Sequence, residues 1–133
     1  MPTQTSSKLR NFWGTIGVAL ILVVFYLSLR PEQATGMLGE GGGRLEHGLA
    51  YGVLMFWFAH LESDRCGRLR LALGLVGMGV TIECLQGMLG HRTFSVADMG
   101  ANSLGVLIGC LAAPPRVPNL LEYLEARAWL GKS

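Results

Sequence analysis

Charge is what this sequence has least of. Asp, Glu, Lys and Arg make up 15% of the 133 residues, against roughly 25% in an ordinary soluble domain. Half of the chain is hydrophobic, and the polar residues fall at breaks between long apolar stretches. Helices of a soluble bundle normally keep a polar face, and these stretches do not. Cysteine is nearly absent too: Cys66, Cys84 and Cys110 offer no disulfide framework, since two lie within apolar runs and the third in a short basic segment. There is no HExxH and no CxxC, so no metal centre is expected. "GEGGGR" (residues 39–44) lacks the Lys-Ser/Thr end of a phosphate-binding loop and reads as a flexible connection. A net charge of +2 with scattered basic residues gives no footprint for nucleic acid.

What is present is a series of apolar runs of spanning length. A bilayer crossing takes ~20 mostly apolar residues. Residues 12–29 meet this cleanly, 69–89 with Glu83 and Gln86 as exceptions, 96–113 with Asp98 and Asn102 near the start. Residues 45–61 meet it least well, because Glu46 and His47 shorten the apolar part. Barrel strands are shorter and alternate in polarity, so the expected fold class is all-α. The architecture is a polytopic membrane protein with four transmembrane helices in one domain (1–113), followed by a cytoplasmic tail (114–133). Lys8 and Arg10 before an apolar run also describe a signal peptide; the length of the run and the poor cleavage site in "LSLRPEQA" favour a retained first helix. In the tail, Leu120, Leu121, Leu124 and Ala128 share one helical face, as in a short amphipathic helix.

Orientation follows from the basic residues of the short loops. With a cytoplasmic amino terminus, that side holds Lys8, Arg10, Arg65, Arg68, Arg70, Arg116, Arg127 and Lys132, and the outside holds Arg30, Arg44 and Arg92. Eight against three of the 11 basic residues places both termini in the cytoplasm.

This topology gathers the costly polar residues at the outer end. Glu83 lies ~9 Å below the end of its helix at 1.5 Å per residue, where a carboxylate needs the bundle interior and a partner. Glu83 and Gln86 share one face of the third helix; Asp98, Asn102, Gly105 and Gly109 form a stripe on the fourth; His47 and Tyr51 share a face of the second. Gly48 with Gly52, and Gly105 with Gly109, have the spacing that permits close helix packing. Each polar residue also has a plainer reading. Glu83, Gln86 and Arg92 suit a network that only fixes packing, Asp98 a helix cap or first-turn acid, His47 a helix-start residue. Asn102 lies too deep to cap and needs a partner in the bundle. His91 reads as solvated, and His60 lies at the far end.

His47, the "ExxQ" of Glu83 and Gln86, and "RTFSVADMGANSLGVLIG" (residues 92–109) resemble the VanZ-like family of small bacterial membrane proteins. The last segment is similar to the family's order and spacing at Arg92, Asp98, Asn102, Gly105 and Gly109, and the likeness covers residues 43–113. One departure stands out: the family often has Asp-Lys before the histidine, and Gly43 and Arg44 stand there, so the positive charge is kept and the acid is absent. The resemblance implies a multi-pass protein of the bacterial cytoplasmic (inner) membrane and cell envelope, with a link to glycopeptide (teicoplanin-type) antibiotic resistance through the family's namesake. It brings no cofactor.

Three functions stand open on these residues. The first is binding of a polar or anionic envelope head group at the outer ends of helices 2–4, with Arg92 supplying charge and Gln86, Asn102 and Tyr51 hydrogen bonds. The second is a small membrane enzyme using Glu83, Asp98 or His47 as acid or base. The third is a structural accessory subunit of a membrane complex. The bilayer is the expected partner in all three, and a transporter built on four helices would need to oligomerise.

Overall fold

The computed structural model describes residues 4–30, 42–90 and 93–131, and the side chains of 7–30, 43–90 and 93–131. These residues form five helices and no strand: α1 Gln4–Leu29, α2 Gly42–Ala59, α3 Arg65–Leu89, α4 Val96–Ala112 and α5 Leu120–Leu130. Helix α1 over Ser7–Leu29 and α3 over Arg65–Leu89 are each long and apolar enough to cross a membrane. Helices α2 and α4 are shorter, at 18 and 17 residues. The glycines at 42 and 43, read from sequence as part of a connection, instead open α2, and α3 begins at Arg65, one turn before its apolar run.

Local chemistry sets the helix ends. Asp64 caps α3, its carboxylate accepting from Gly67 N at 3.2 Å, and Gly90 ends the helix in the left-handed conformation at φ 67°, where a side chain would be strained. Ser95 caps α4 by accepting from Asp98 N. Asn119 caps α5 by accepting from the amides of Leu121 and Glu122.

Consecutive helices among α1–α4 run in opposite directions, which places α2 and α4 parallel. Their contact is the closest in the fold and is made backbone to backbone. A methyl group on Gly52 would stand 3.1 Å from the Gly105 carbonyl oxygen, and one on Gly48 3.2 Å from that of Ala101. Methyl groups on Gly105 and Gly109 would overlap the carbonyls of Gly48 and Gly52. Small residues at these four positions let the two backbones touch, as in membrane helix pairs.

Helix α1 closes on α2 through a mutual clasp of tryptophans. Trp13 Nε1 donates to the Trp57 carbonyl at 3.1 Å, Trp57 Nε1 donates to the Trp13 carbonyl at 3.0 Å, and the rings stack 4.0 Å apart. At the same end Arg68 gathers three chain segments, donating to the carbonyls of Glu62 at 2.8 Å, Ala59 at 3.4 Å and Pro114. Asn119 Nδ2 donates to the His60 carbonyl at 3.1 Å, which ties α5 to the end of α2. The core is Tyr51, Leu54, Met55, Ala59, Leu75, Val106 and Ala113. Leu22, Val23, Leu49, Val53, Leu73, Leu107 and Ile108 point outward and are exposed.

The glycine contact gives a direct test. Gly105→Ala places a methyl group on the Gly48 carbonyl and should lower stability by about 1–3 kcal/mol, the usual cost of overpacking. Gly74→Ala and Gly77→Ala, which face open space, should be neutral or stabilising by up to ~1 kcal/mol, because alanine favours helix. Thermal unfolding in detergent compares the three; equal melting temperatures would mean that α2 and α4 do not meet at these residues.

Candidate functional site

The α2–α4 contact determines what lies beside it. Tyr51 follows Gly48 on α2 and Asn102 precedes Gly105 on α4, and both side chains close over Gly79 of α3. A methyl group on Gly79 would stand 3.2 Å from Asn102 Nδ2 and 3.4 Å from Tyr51 Cε1. One turn further along α3, on the same face, is Glu83. Tyr51 is 0%, Glu83 1% and Asn102 2% exposed, so three polar side chains from three helices are sealed inside the bundle.

Each of the three keeps a polar atom without a partner. Tyr51 Oη, Glu83 Oε2 and Asn102 Oδ1 make no hydrogen bond among the described residues. A buried, unsatisfied group of this kind costs about 1–3 kcal/mol. The other carboxylate oxygen of Glu83 is well used: Oε1 accepts from Ser95 N at 2.6 Å. In a capping box the acid three residues into a helix reaches back to the amide of the cap residue. Here Asp98 occupies that position, and the bond to the Ser95 amide comes from another helix. Glu83 thereby completes the cap of α4 and ties it to α3.

Asp98 turns to α2 instead. Its Oδ1 accepts from Arg44 Nε at 3.2 Å, with Arg44 65% and Asp98 13% exposed, an ion pair at the rim of the bundle. Asp98 is thus a first-turn acid of α4, and the cap is Ser95. Gln86 is buried and turns to α1, where its Nε2 donates to the Ser28 carbonyl at 2.5 Å. His47 lies half-buried in the first turns of α2, on the helix that also carries Tyr51.

The sequence gathers Glu83, Gln86, Arg92, Asp98 and Asn102 at one end of the bundle. The described members lie at the same end of the bundle but serve different joints: Glu83 to α4, Gln86 to α1, Asp98 to α2. Arg92 and His91 lie outside the described residues. Arg44, Ser28, Ser95 and Gly79 were not singled out as members of this site. Of these only Ser95 had a sequence signal, the Ser-x-x-Asp spacing of a helix start; the roles of the others depend on how helices pack. His60 is buried at the opposite end, its Nδ1 2.8 Å from the Phe56 carbonyl and its ring against Phe56 and Trp13. Among the described residues no group of three or more His, Cys, Asp or Glu could hold a metal ion.

No family model, curated protein or solved structure matches this chain.

The two acids should respond differently to substitution. A double-mutant cycle between Arg44→Ala and Asp98→Asn should show coupling below ~1 kcal/mol, since the arginine is largely exposed. Ser95→Ala should cost about 1 kcal/mol through loss of the cap hydroxyl, and Glu83→Ala more, because it strips the same helix start and opens a cavity. Denaturation of the purified variants decides; Glu83→Ala as mild as Ser95→Ala would refute the interhelical cap.

Proposed function

We propose that the chain is a VanZ-like, multi-pass protein of the bacterial cytoplasmic membrane, with α1–α4 spanning and both termini cytoplasmic. In this reading it binds a polar or anionic envelope head group at the outer ends of α2, α3 and α4. The observation that carries the reading is the set of polar side chains at that end of the bundle, with Arg44 exposed at the rim and Tyr51, Glu83 and Asn102 buried beneath it, each with a polar atom that lacks a partner among the described residues. Polar side chains at such depth in an apolar bundle mark functional sites by default.

The membrane part of the reading draws support from two features. Only 17% of the most apolar stretch of α1 and 28% of that of α3 is buried, whereas a core helix of a soluble protein is mostly covered. Basic residues also segregate: Lys8, Arg10, Arg65, Arg68, Arg70, Arg116 and Arg127 belong to one end, and Arg30 and Arg44 to the other, as expected for loops that obey the positive-inside bias. Arg44 at the rim is the first cation a head group would meet, and Arg92 follows in the adjoining connection. Gln86, Asn102 and Tyr51, buried beneath that rim, would supply hydrogen bonds to a head group admitted between the helix ends. The link to glycopeptide resistance rests on the family resemblance alone. The structural accessory reading is favoured by the bonds Gln86 and Glu83 make to Ser28 and Ser95, which account for part of the polar set without any ligand.

Two experiments test the proposal. Topology comes first: in a variant lacking the other two cysteines, the exposed Cys66 should be protected from an impermeant maleimide in intact cells, and Gly41→Cys should react. Labelling of Cys66 from outside would reverse the orientation. Binding comes second: lipid species that copurify with the wild type should include an anionic class depleted by Arg92→Ala and Arg44→Ala. Identical lipid profiles in all three proteins would remove the head-group reading.

A further inference from the structure

Helix α5 is held at a defined level by the bonds made just before it in the chain. Arg68 donates to the Pro114 carbonyl, and Asn119 Nδ2 donates to the His60 carbonyl at 3.1 Å. Arg10 Nη2 of α1 donates to the adjoining Leu61 carbonyl at 2.7 Å. The amino end of α5 therefore lies level with the end of α2 and with Arg10, where the apolar part of the bundle stops. From there α5 packs against α1 and against no other helix among the described residues.

One side of α5 seals this joint and another faces away from it. Leu121 is fully buried, and Glu125 and Ala128, one and two turns on, are half-buried. Leu120, Tyr123, Leu124, Arg127 and Leu130 are exposed, Tyr123 at 55% and Leu130 at 65%. Their i, i+3, i+4, i+7, i+10 spacing puts them on one side of the helix. The apolar face expected from sequence is thus divided: Leu121 and Ala128 turn to the bundle, while Leu120 and Leu124 join an outward stripe. The acids lie outside that stripe. Glu125 is on the covered side, and Glu122 accepts from Asn119 Nδ2 at 3.1 Å. The charge within the stripe is Arg127, whose stem can lie along apolar surface with the guanidinium in water. Arg116 is exposed just before the helix, and Arg65 and Arg70 are exposed at the same end of the bundle.

We infer that this stripe docks on the anionic lipid surface of the cytoplasmic leaflet, with its apolar side chains below the head groups and Arg116 and Arg127 at lipid phosphates. An apolar face at interface depth, with basic residues beside it, is the chemistry of helices that lie in the membrane plane. Tyrosine favours the same level, and each arginine near an anionic surface adds attraction. A second copy of the chain matches the stripe less well, because a two-fold pairing sets the stripe against itself and gives Arg127 no acid to meet. The inference rests on α1–α4 spanning with this end cytoplasmic, and is independent of head-group binding at the opposite end.

The test uses the full chain, lacking its native cysteines, in nanodiscs of phosphatidylcholine or of an equal mixture of phosphatidylcholine and phosphatidylglycerol. A fluorescent label is placed at Tyr123→Cys within the stripe, at Glu122→Cys outside it, or at Val80→Cys, exposed near the middle of α3. Aqueous iodide and nitroxide-bearing lipids serve as quenchers. In the mixed membrane the label at position 123 should be quenched by lipid and shielded from iodide, and the label at 122 should behave in the opposite way. Arg116→Gln combined with Arg127→Gln should remove the extra lipid quenching that phosphatidylglycerol confers. Equal iodide quenching at 122 and 123 would overturn the docking. Shielding at 123 without lipid quenching would overturn it too, by showing that protein covers the stripe. Lipid quenching at 123 that is the same in both membranes would overturn the assignment to anionic lipid. The label at 80 reports spanning alone: lipid quenching there but not at 123 removes this inference and leaves the spanning reading, whereas its loss at both positions removes both.

Discussion

The backbone contact between α2 and α4 is the constraint on which the rest of the bundle depends. Gly48 and Gly52 meet Ala101, Gly105 and Gly109 without intervening side chains, and the two helices approach as closely as main chains permit. Tyr51 and Asn102 flank that contact and are carried with it onto α3, where the absence of a side chain at Gly79 makes room for both. Any side chain at the glycines would push the helices apart and separate the polar groups. Packing and site are therefore one feature of the chain, with small residues setting the distance and polar residues using it.

Around that pair, the ends of the bundle are held by different chemistry. At one end Arg68 collects the carbonyls of Ala59, Glu62 and Pro114, and the tryptophan clasp locks α1 to α2. These are donors meeting carbonyls that helix ends leave free. At the other end the joints are carboxylates and an amide: Glu83 on the Ser95 amide, Asp98 on Arg44, Gln86 on the Ser28 carbonyl. At the first end no buried side-chain polar atom of the described residues lacks a partner. The second retains Tyr51 Oη, Glu83 Oε2 and Asn102 Oδ1 unsatisfied among the described residues, and the proposed function rests on this difference between the ends.

Much of the helical layout was legible in the sequence, because apolar runs of spanning length leave few alternatives to helix. Their boundaries were less so. Helix α3 starts at Arg65 because Asp64 caps it, and α2 starts at Gly42 although glycine is a poor helix former. The polar residues were legible as a set, since Glu83, Gln86, Asp98 and Asn102 are conspicuous against an apolar background. Their partners were not. Spacing along one helix reveals which residues share a face, but the choice of Ser28 for Gln86, or of Arg44 for Asp98, depends on rotation and depth between helices, which a single chain of letters does not encode. Gly79 illustrates the limit: nothing distinguishes it from the neighbouring Gly74 and Gly77, which face open space.

The central claim is the parallel, glycine-mediated register of α2 and α4, and distances between spin labels in lipid nanodiscs measure it most directly. Labels at the exposed Leu49 and Leu104 should lie close together, and labels at Leu49 and the exposed Leu111 should lie farther apart by ~10 Å along the axis, seven residues at 1.5 Å each. A shorter distance for Leu49 with Leu111 than for Leu49 with Leu104 would contradict the register and, with it, the convergence of Tyr51, Glu83 and Asn102.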